Sequence, residues 1–249
     1  MIRRTASLLV LLLVAAWTPA AQPPVERQRV FARLPDWTGI WMVDDGLWNK
    51  TGLRNGFDPQ PGVTFLLLKD LPLSAAGQKR AQAAREAQKA KPTKECGFYF
   101  PFVMESPWPF EVLSTPEQTV FIFGGREIRH VYTDGRGHLP TDEIWPTPWG
   151  DSTGHWEGDT LVIETIAVDP QLLPLNADAH FAERIRKIGR DRLEDVLTIV
   201  DPVNLTRPFT VTLPYKRVTT VDRLIHGDCM QNDRNTVVNG QESVAPPTP

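Results

Sequence analysis

Between Thr119 and Val218 the chain is a series of short segments rich in Val, Ile, Thr and Phe: "TVFIFG", "EIRHVYT", "DTLVIETIAV", "HFAERIRKI", "LEDVLTIVD" and "FTVTLPYKRV". β-Branched and aromatic side chains suit a pleated, half-buried surface, and the Gly, Pro, Asp and Asn residues that bound each segment suit turns. Six or more strands with short connections and almost no helix among them restrict the chain to an all-β fold, an antiparallel barrel or a sandwich. "PDWTGIWMV" opens this domain with an aromatic strand. "LSAAGQKRAQAAREAQKAKP" predicts one surface helix, with Ser74 as N-cap and Pro92 as the stop. A small closed barrel of about eight strands can hold one small ligand in its mouth.

The N-terminus fixes the expected compartment. Met1 to Arg4 supply positive charge, Ala6 to Ala16 an apolar run, and Thr18-Pro19-Ala20-Ala21 a small-residue cleavage zone. Residues 1–21 therefore read as a secretory signal peptide, too short to span a bilayer. A polar leader is expected over 22–35, a single β-barrel domain over 36–235, and a disordered Pro-rich tail over 236–249. The mature protein is expected in the periplasm or outside the cell, with no membrane insertion after signal cleavage. The formal net charge is −3, with acidic and basic residues interspersed, which offers no basic stripe for nucleic acid. In an oxidising compartment Cys96 and Cys229, the two cysteines of the chain, are expected to form a disulfide. A metal pair or a reactive thiol are the competing readings, and neither has supporting residues nearby.

Candidate site residues fall in three stretches. In "HVYTDGRGHLP", a strand over 128–133 places Ile128, His130 and Tyr132 on one face and Arg129, Val131 and Thr133 on the other. Asp134-Gly135 reads as a turn in which Asp134 bonds its own backbone. Arg136 and His138 follow the turn and are left over by it. In "GDSTGHWEGDTLVIET", Trp156 is expected to pack over the barrel end, and His155, Glu157 and Asp159 are either ligands or hairpin residues. Glu164 shares a face with Val162 and Ile166 and is expected as an inward carboxylate that needs a partner. In "DAHFAERIRKI", Phe181, Glu183 and Ile185 share a face opposite His180 and Arg184. Glu183 is then either paired with an arginine or held as a proton-transfer group.

These stretches, with "DPVNLTRPFTVTL", resemble the successive landmarks of a large, mostly uncharacterised family of exported bacterial proteins, over roughly residues 96–232. Tyr132, Asp134, Arg136, His138, Ser152, Trp156, Glu157, Asp159, His180, Glu183 and Arg184 match that family's pattern. Leu139 stands before Pro140 where the family has Pro directly after His, and Phe209 stands where it has Trp. The resemblance implies kinship and no particular reaction. Gly39-Ile40-Trp41 resembles the opening of a lipocalin-type, calycin-like barrel.

Nucleotide-binding glycine loops and a zincin helix are missing from the sequence, so no cofactor is expected; no metal is expected from ligand spacing, and a metal gathered by a barrel from the distant His130, His138, His155 or His180 stays an open alternative. Two functions remain in view. The first is an exported acid/base enzyme, a lyase, dehydratase or isomerase, acting on a hydrophobic, aromatic small molecule. Its candidate catalytic residues are Tyr132, Asp134, Arg136, His138, His180 and Glu183, and its candidate substrate-binding residues are His130, Trp145, Trp149, Trp156 and Glu164. That reading requires the five histidines to share a cavity. The second is a periplasmic, lipocalin-like carrier of an apolar ligand, which requires an apolar cavity with few convergent polar groups. A structural envelope protein, a third possibility, would have no enclosed pocket. Oligomeric state is not fixed by any of these residues.

Overall fold

The period of two in the sequence becomes a period of two in burial. In β7 (His180–Gly189), Phe181, Glu183 and Ile185 are buried between exposed neighbours, and in β8 (Arg192–Val200), Leu193, Asp195, Leu197 and Ile199 are buried. The same alternation runs through β3 (Gln118–Phe123), β4 (Ile128–Tyr132) and β6 (Thr160–Ile166) and less regularly through β1 (Ile40–Val43), β2 (Phe110–Ser114), β5 (Asp151–Glu157) and β9 (Phe209–Val218). These nine strands pair in chain order into a closed barrel, and β9 returns to β1 through pairs running from Ile40↔Val218 to Val43↔Tyr215. This computed structural model describes residues 24–48, 60–90, 99–125, 127–169, 174–224, 237–238 and 241–242. Residues 1–21, Pro92, Cys96, Cys229 and His226 lie outside them.

The expected antiparallel barrel is present, with one exception at its weakest seam. β4 and β5 run parallel and share a single pairing, Tyr132↔Thr153. Parallel neighbours need a crossover, and the 133–150 connection supplies it. β5 and β2 were not among the strands predicted from the sequence, since "DSTGHWE" and "FEVLS" are poor in β-branched residues. Packing overrides propensity in β5. A Cβ on Gly154 would stand 2.5 Å from the Val162 carbonyl oxygen and 3.2 Å from Val131 Cγ1, so glycine permits the close approach of three strands.

Gly39-Ile40-Trp41 closes the barrel between its first and last strands. Trp41 is fully buried, donates its indole N–H to the Trp37 carbonyl at 2.9 Å, and carries the Arg217 guanidinium 4.6 Å from its ring centre. Gly39 sits at φ +110°, and a Cβ there would overlap Arg217. Among the described residues two α-helices lie outside the barrel. Within the polar leader expected over 22–35, Pro24–Phe31 forms α1, and the expected surface helix is α2 (Ala75–Ala90). Ser74 caps α2 by accepting the Gly77 N–H at 3.1 Å, while its hydroxyl donates to the Val203 carbonyl at 2.7 Å. The tail, expected to lack structure, carries one short antiparallel pair, β10 (Val237–Val238) with β11 (Gln241–Glu242).

The barrel is filled by its own chain. Phe100 and the 3-10 turn Phe102–Glu105 are buried against the inner faces, where Phe100 meets Phe181 edge to face and the Tyr215 hydroxyl donates to the Met104 carbonyl at 3.0 Å. Glu105 anchors this plug. Its carboxyl accepts the Leu66 and Leu67 N–H groups at 2.5 and 3.1 Å, and its carbonyl accepts the Trp48 indole N–H. Burial pushes the Glu105 carboxyl up to about 8; the two N–H groups pull against this, and the neighbouring Asp45 carboxyl adds to it. Below about pH 4.5 Glu105 is protonated in both the folded and the unfolded chain. Between 4.5 and about 8 only the unfolded chain releases its proton. Stability is therefore expected to fall as pH rises through that window and to level off above it, with a slope from this group of at most roughly 1.4 kcal/mol per pH unit. Urea midpoints measured from pH 4 to 9 check this, and Glu105→Gln should flatten the slope.

Candidate functional site

β4 to β9 each contribute one side chain to a polar layer across the barrel interior: Arg129, Ser152, Thr165, Glu183, Asp195 and Tyr215. Arg129 forms a two-pronged ion pair with Glu183, one contact at 2.8 Å between Nη1 and Oε1 and a second between Nη2 and Oε2. Nη2 also donates to the Thr165 hydroxyl at 3.0 Å and to the Ser152 hydroxyl at 3.4 Å. The guanidinium carbon stands 4.0 Å from the centre of the Phe100 ring, so the plug covers the cation's flat face. Asp195 lies beside Glu183 as a carboxyl against a carboxyl, and among the described residues no other side chain or backbone group donates to its oxygens. Burial raises it well above its usual range, Glu183 adds to the shift and Arg129 opposes it. Of the two roles the sequence left open for Glu183, the ion pair is the geometry present.

Arg129 connects this layer to the surface. At the single-pair seam between β4 and β5 an open cleft of about 420 Å³ is lined by Ile128, Arg129, His130, Tyr132, Arg136, Gly137, Leu139, Trp149, Gly150, Asp151 and Ser152. Its floor is Arg129 and Ser152; its wall is the 133–150 crossover. Asp134 is buried behind the wall, bonds the Arg136 backbone N–H at 3.3 Å as the turn predicts, and takes the Arg136 side chain through two contacts of 2.8 Å. That guanidinium holds the Asp134 carboxyl below its usual range and itself lies 4.3 Å from the Tyr132 ring centre. His138 stands just outside the cleft lining. Its Nδ1 is 2.8 Å from Asp151 Oδ2 and its Nε2 3.3 Å from the Thr153 hydroxyl, while Asp151 also accepts the Leu139 N–H.

Of the remaining candidates, His130 lies at the cleft's outer rim and the others lie elsewhere. His130 shares its face with Tyr132 as expected; the face points outward, and the imidazole bonds Gln118 at 3.0 Å. His155 pairs with Glu157 at 3.1 Å and His180 stands 3.6 Å from Glu164, all on the barrel exterior. Glu164 thus corrects the inward carboxylate expected of it: the buried residues of β6 are Leu161, Ile163 and Thr165, one position out of step with Glu164. Trp156 stacks edge to face on Trp37 at 5.0 Å, away from the cleft, and Trp145 is 69% exposed. The four described histidines therefore do not share a cavity. Among the described residues no His, Cys, Asp and Glu side chains gather in a group of three or more able to hold a metal.

Arg129, Asp195 and Asp151 were missed from the sequence. Alternation with Val131 was the available signal for Arg129, because Val131 marks the inward face of β4. No family model matches the chain, and no curated protein matches it. Among solved structures the chain is similar to a mutant of the fluorescent protein UnaG, at 11% identity and a TM-score of 0.32, over 74% of this chain and 96% of that one. A likeness of that degree carries no argument, and the fold stands on its own strand pairing.

Replacing Arg129 alone by Met leaves the Glu183 carboxylate buried without its cation and is expected to lower stability by about 3–5 kcal/mol. Arg129→Met combined with Glu183→Leu should recover most of that loss. Urea unfolding of both variants checks the difference, and equal losses would contradict the pairing.

Proposed function

We propose that the protein is an exported small-molecule carrier that binds an apolar, ring-containing ligand in the cleft between β4 and β5. The observation that carries this reading is the cleft's lining. Ile128 and Leu139 are 47% and 51% exposed there, beside Tyr132 and Trp149, so apolar surface faces water at a concave site. The plug occupies the barrel interior, which supports a seat at the seam over one in the centre. Export rests on the N-terminal sequence, and a disulfide between Cys96 and Cys229 belongs to the same reading.

One observation favours an acid/base enzyme instead, a lyase, dehydratase or isomerase. The Asp151–His138–Thr153 chain of contacts orients an imidazole at the edge of the cleft, as a general base requires. The positions of His155 and His180, away from the cleft, weigh against it.

The test uses N-phenyl-1-naphthylamine, an uncharged ring compound whose fluorescence rises in apolar sites. Saturable binding to the mature protein is expected, and Leu139→Asp should weaken it at least tenfold while leaving the unfolding midpoint unchanged, because Leu139 is half exposed. Binding unaffected by Leu139→Asp would reject the cleft. A ring compound recovered with altered mass from wild type and unaltered from His138→Ala would establish the enzyme.

A further inference from the structure

We infer that the β4/β5 cleft selects uncharged ring compounds bearing a hydrogen-bond acceptor, such as an ester, amide or ketone oxygen, and rejects the corresponding carboxylates. The inference rests on the binding reading above and adds the chemical class of ligand.

The first support is charge. Every guanidinium at the cleft already has its carboxylate: Arg129 is paired two-fold with Glu183, and Arg136 two-fold with Asp134. Arg27 approaches the same cluster from α1, at 3.6 Å from Asp134 and 4.0 Å from Glu117. Asp151 lines the cleft as a further carboxylate, with His138 its partner. Three guanidiniums thus face four carboxylates. An entering anion would find no unspent cation and would meet Asp151, while losing its own hydration.

The second support is an unspent donor. Arg129 is 1% exposed and is among the residues that line the cleft, and its buried Nε has no hydrogen-bond partner among the described residues. A buried donor without a partner is costly, and a neutral acceptor oxygen satisfies it without adding charge. The Ser152 hydroxyl beside it is engaged with Thr165 at 2.8 Å. Ring surface on Ile128, Tyr132, Leu139 and Trp149 with one oxygen toward Arg129 is the arrangement these residues accommodate.

Competition against N-phenyl-1-naphthylamine at pH 8, where an ordinary imidazole is uncharged, separates the outcomes. Methyl 2-naphthoate and 2-naphthamide are expected to displace the probe at concentrations at least tenfold lower than 2-naphthoate, with naphthalene between them. Arg129→Lys, which keeps the charge opposite Glu183 and removes Nε, should erase the advantage of the amide over naphthalene. If that variant does not fold, the comparison of ester with acid on the wild-type protein still decides. The inference is overturned if 2-naphthoate binds as tightly as its ester or more tightly. If none of the compounds displaces the probe, or the probe itself does not bind at the cleft, the carrier reading fails and takes this inference with it.

Discussion

The ion pair between Arg129 and Glu183 is the interaction on which the interior depends. A guanidinium and a carboxylate enclosed in a barrel lose their hydration, and each is tolerable only because the other is held against it in two-pronged geometry. The surrounding choices follow from that demand. Thr165 and Ser152 also accept from Nη2, the Phe100 ring covers the cation's face, and burial beside Glu183 pushes the Asp195 carboxyl well above its usual range, which opposes a second charge there. The other side of the barrel is aromatic, with Phe110 packed against Phe121, Phe123 and Tyr215. A polar half and an aromatic half leave little reason for a ligand to enter the centre while the plug is in place.

The plug and the seam are two answers to one topological problem. Nine strands enclose space that the side chains of the strands do not fill alone, and residues 100–106 fill it from within. The crossover that returns the chain for β5 leaves β4 and β5 with one pairing instead of a ladder. That gap lets Arg129 touch both the interior and the cleft. The cleft at the seam is thus coupled to the same residue that stabilises the core.

Alternation made much of this legible in the sequence. The strands from β3 to β9, apart from β5, follow runs of β-branched residues, and Ser74 caps the helix it was expected to cap. Tyr132, Arg136 and Trp149 line the cleft together, with Asp134 behind and His138 beside it. Alternation does not say which face is inside, so His130 drew attention that belonged to Arg129, and Glu164 was placed inward although Leu161 and Ile163 hold that face. Asp151 and Asp195 were invisible for another reason. Their partners, His138 and Glu183, are brought to them by the crossover and by strand register, and no local pattern encodes either.

Hydrogen exchange with and without N-phenyl-1-naphthylamine tests the central claim most directly, because it locates the ligand rather than merely detecting it. The account predicts added protection confined to residues 128–139 and 149–153, with the plug at 100–106 and its anchor at 65–67 unchanged. Protection or deprotection centred on 65–67 and 100–106 would place the ligand inside the barrel after displacement of the plug, and would contradict the account.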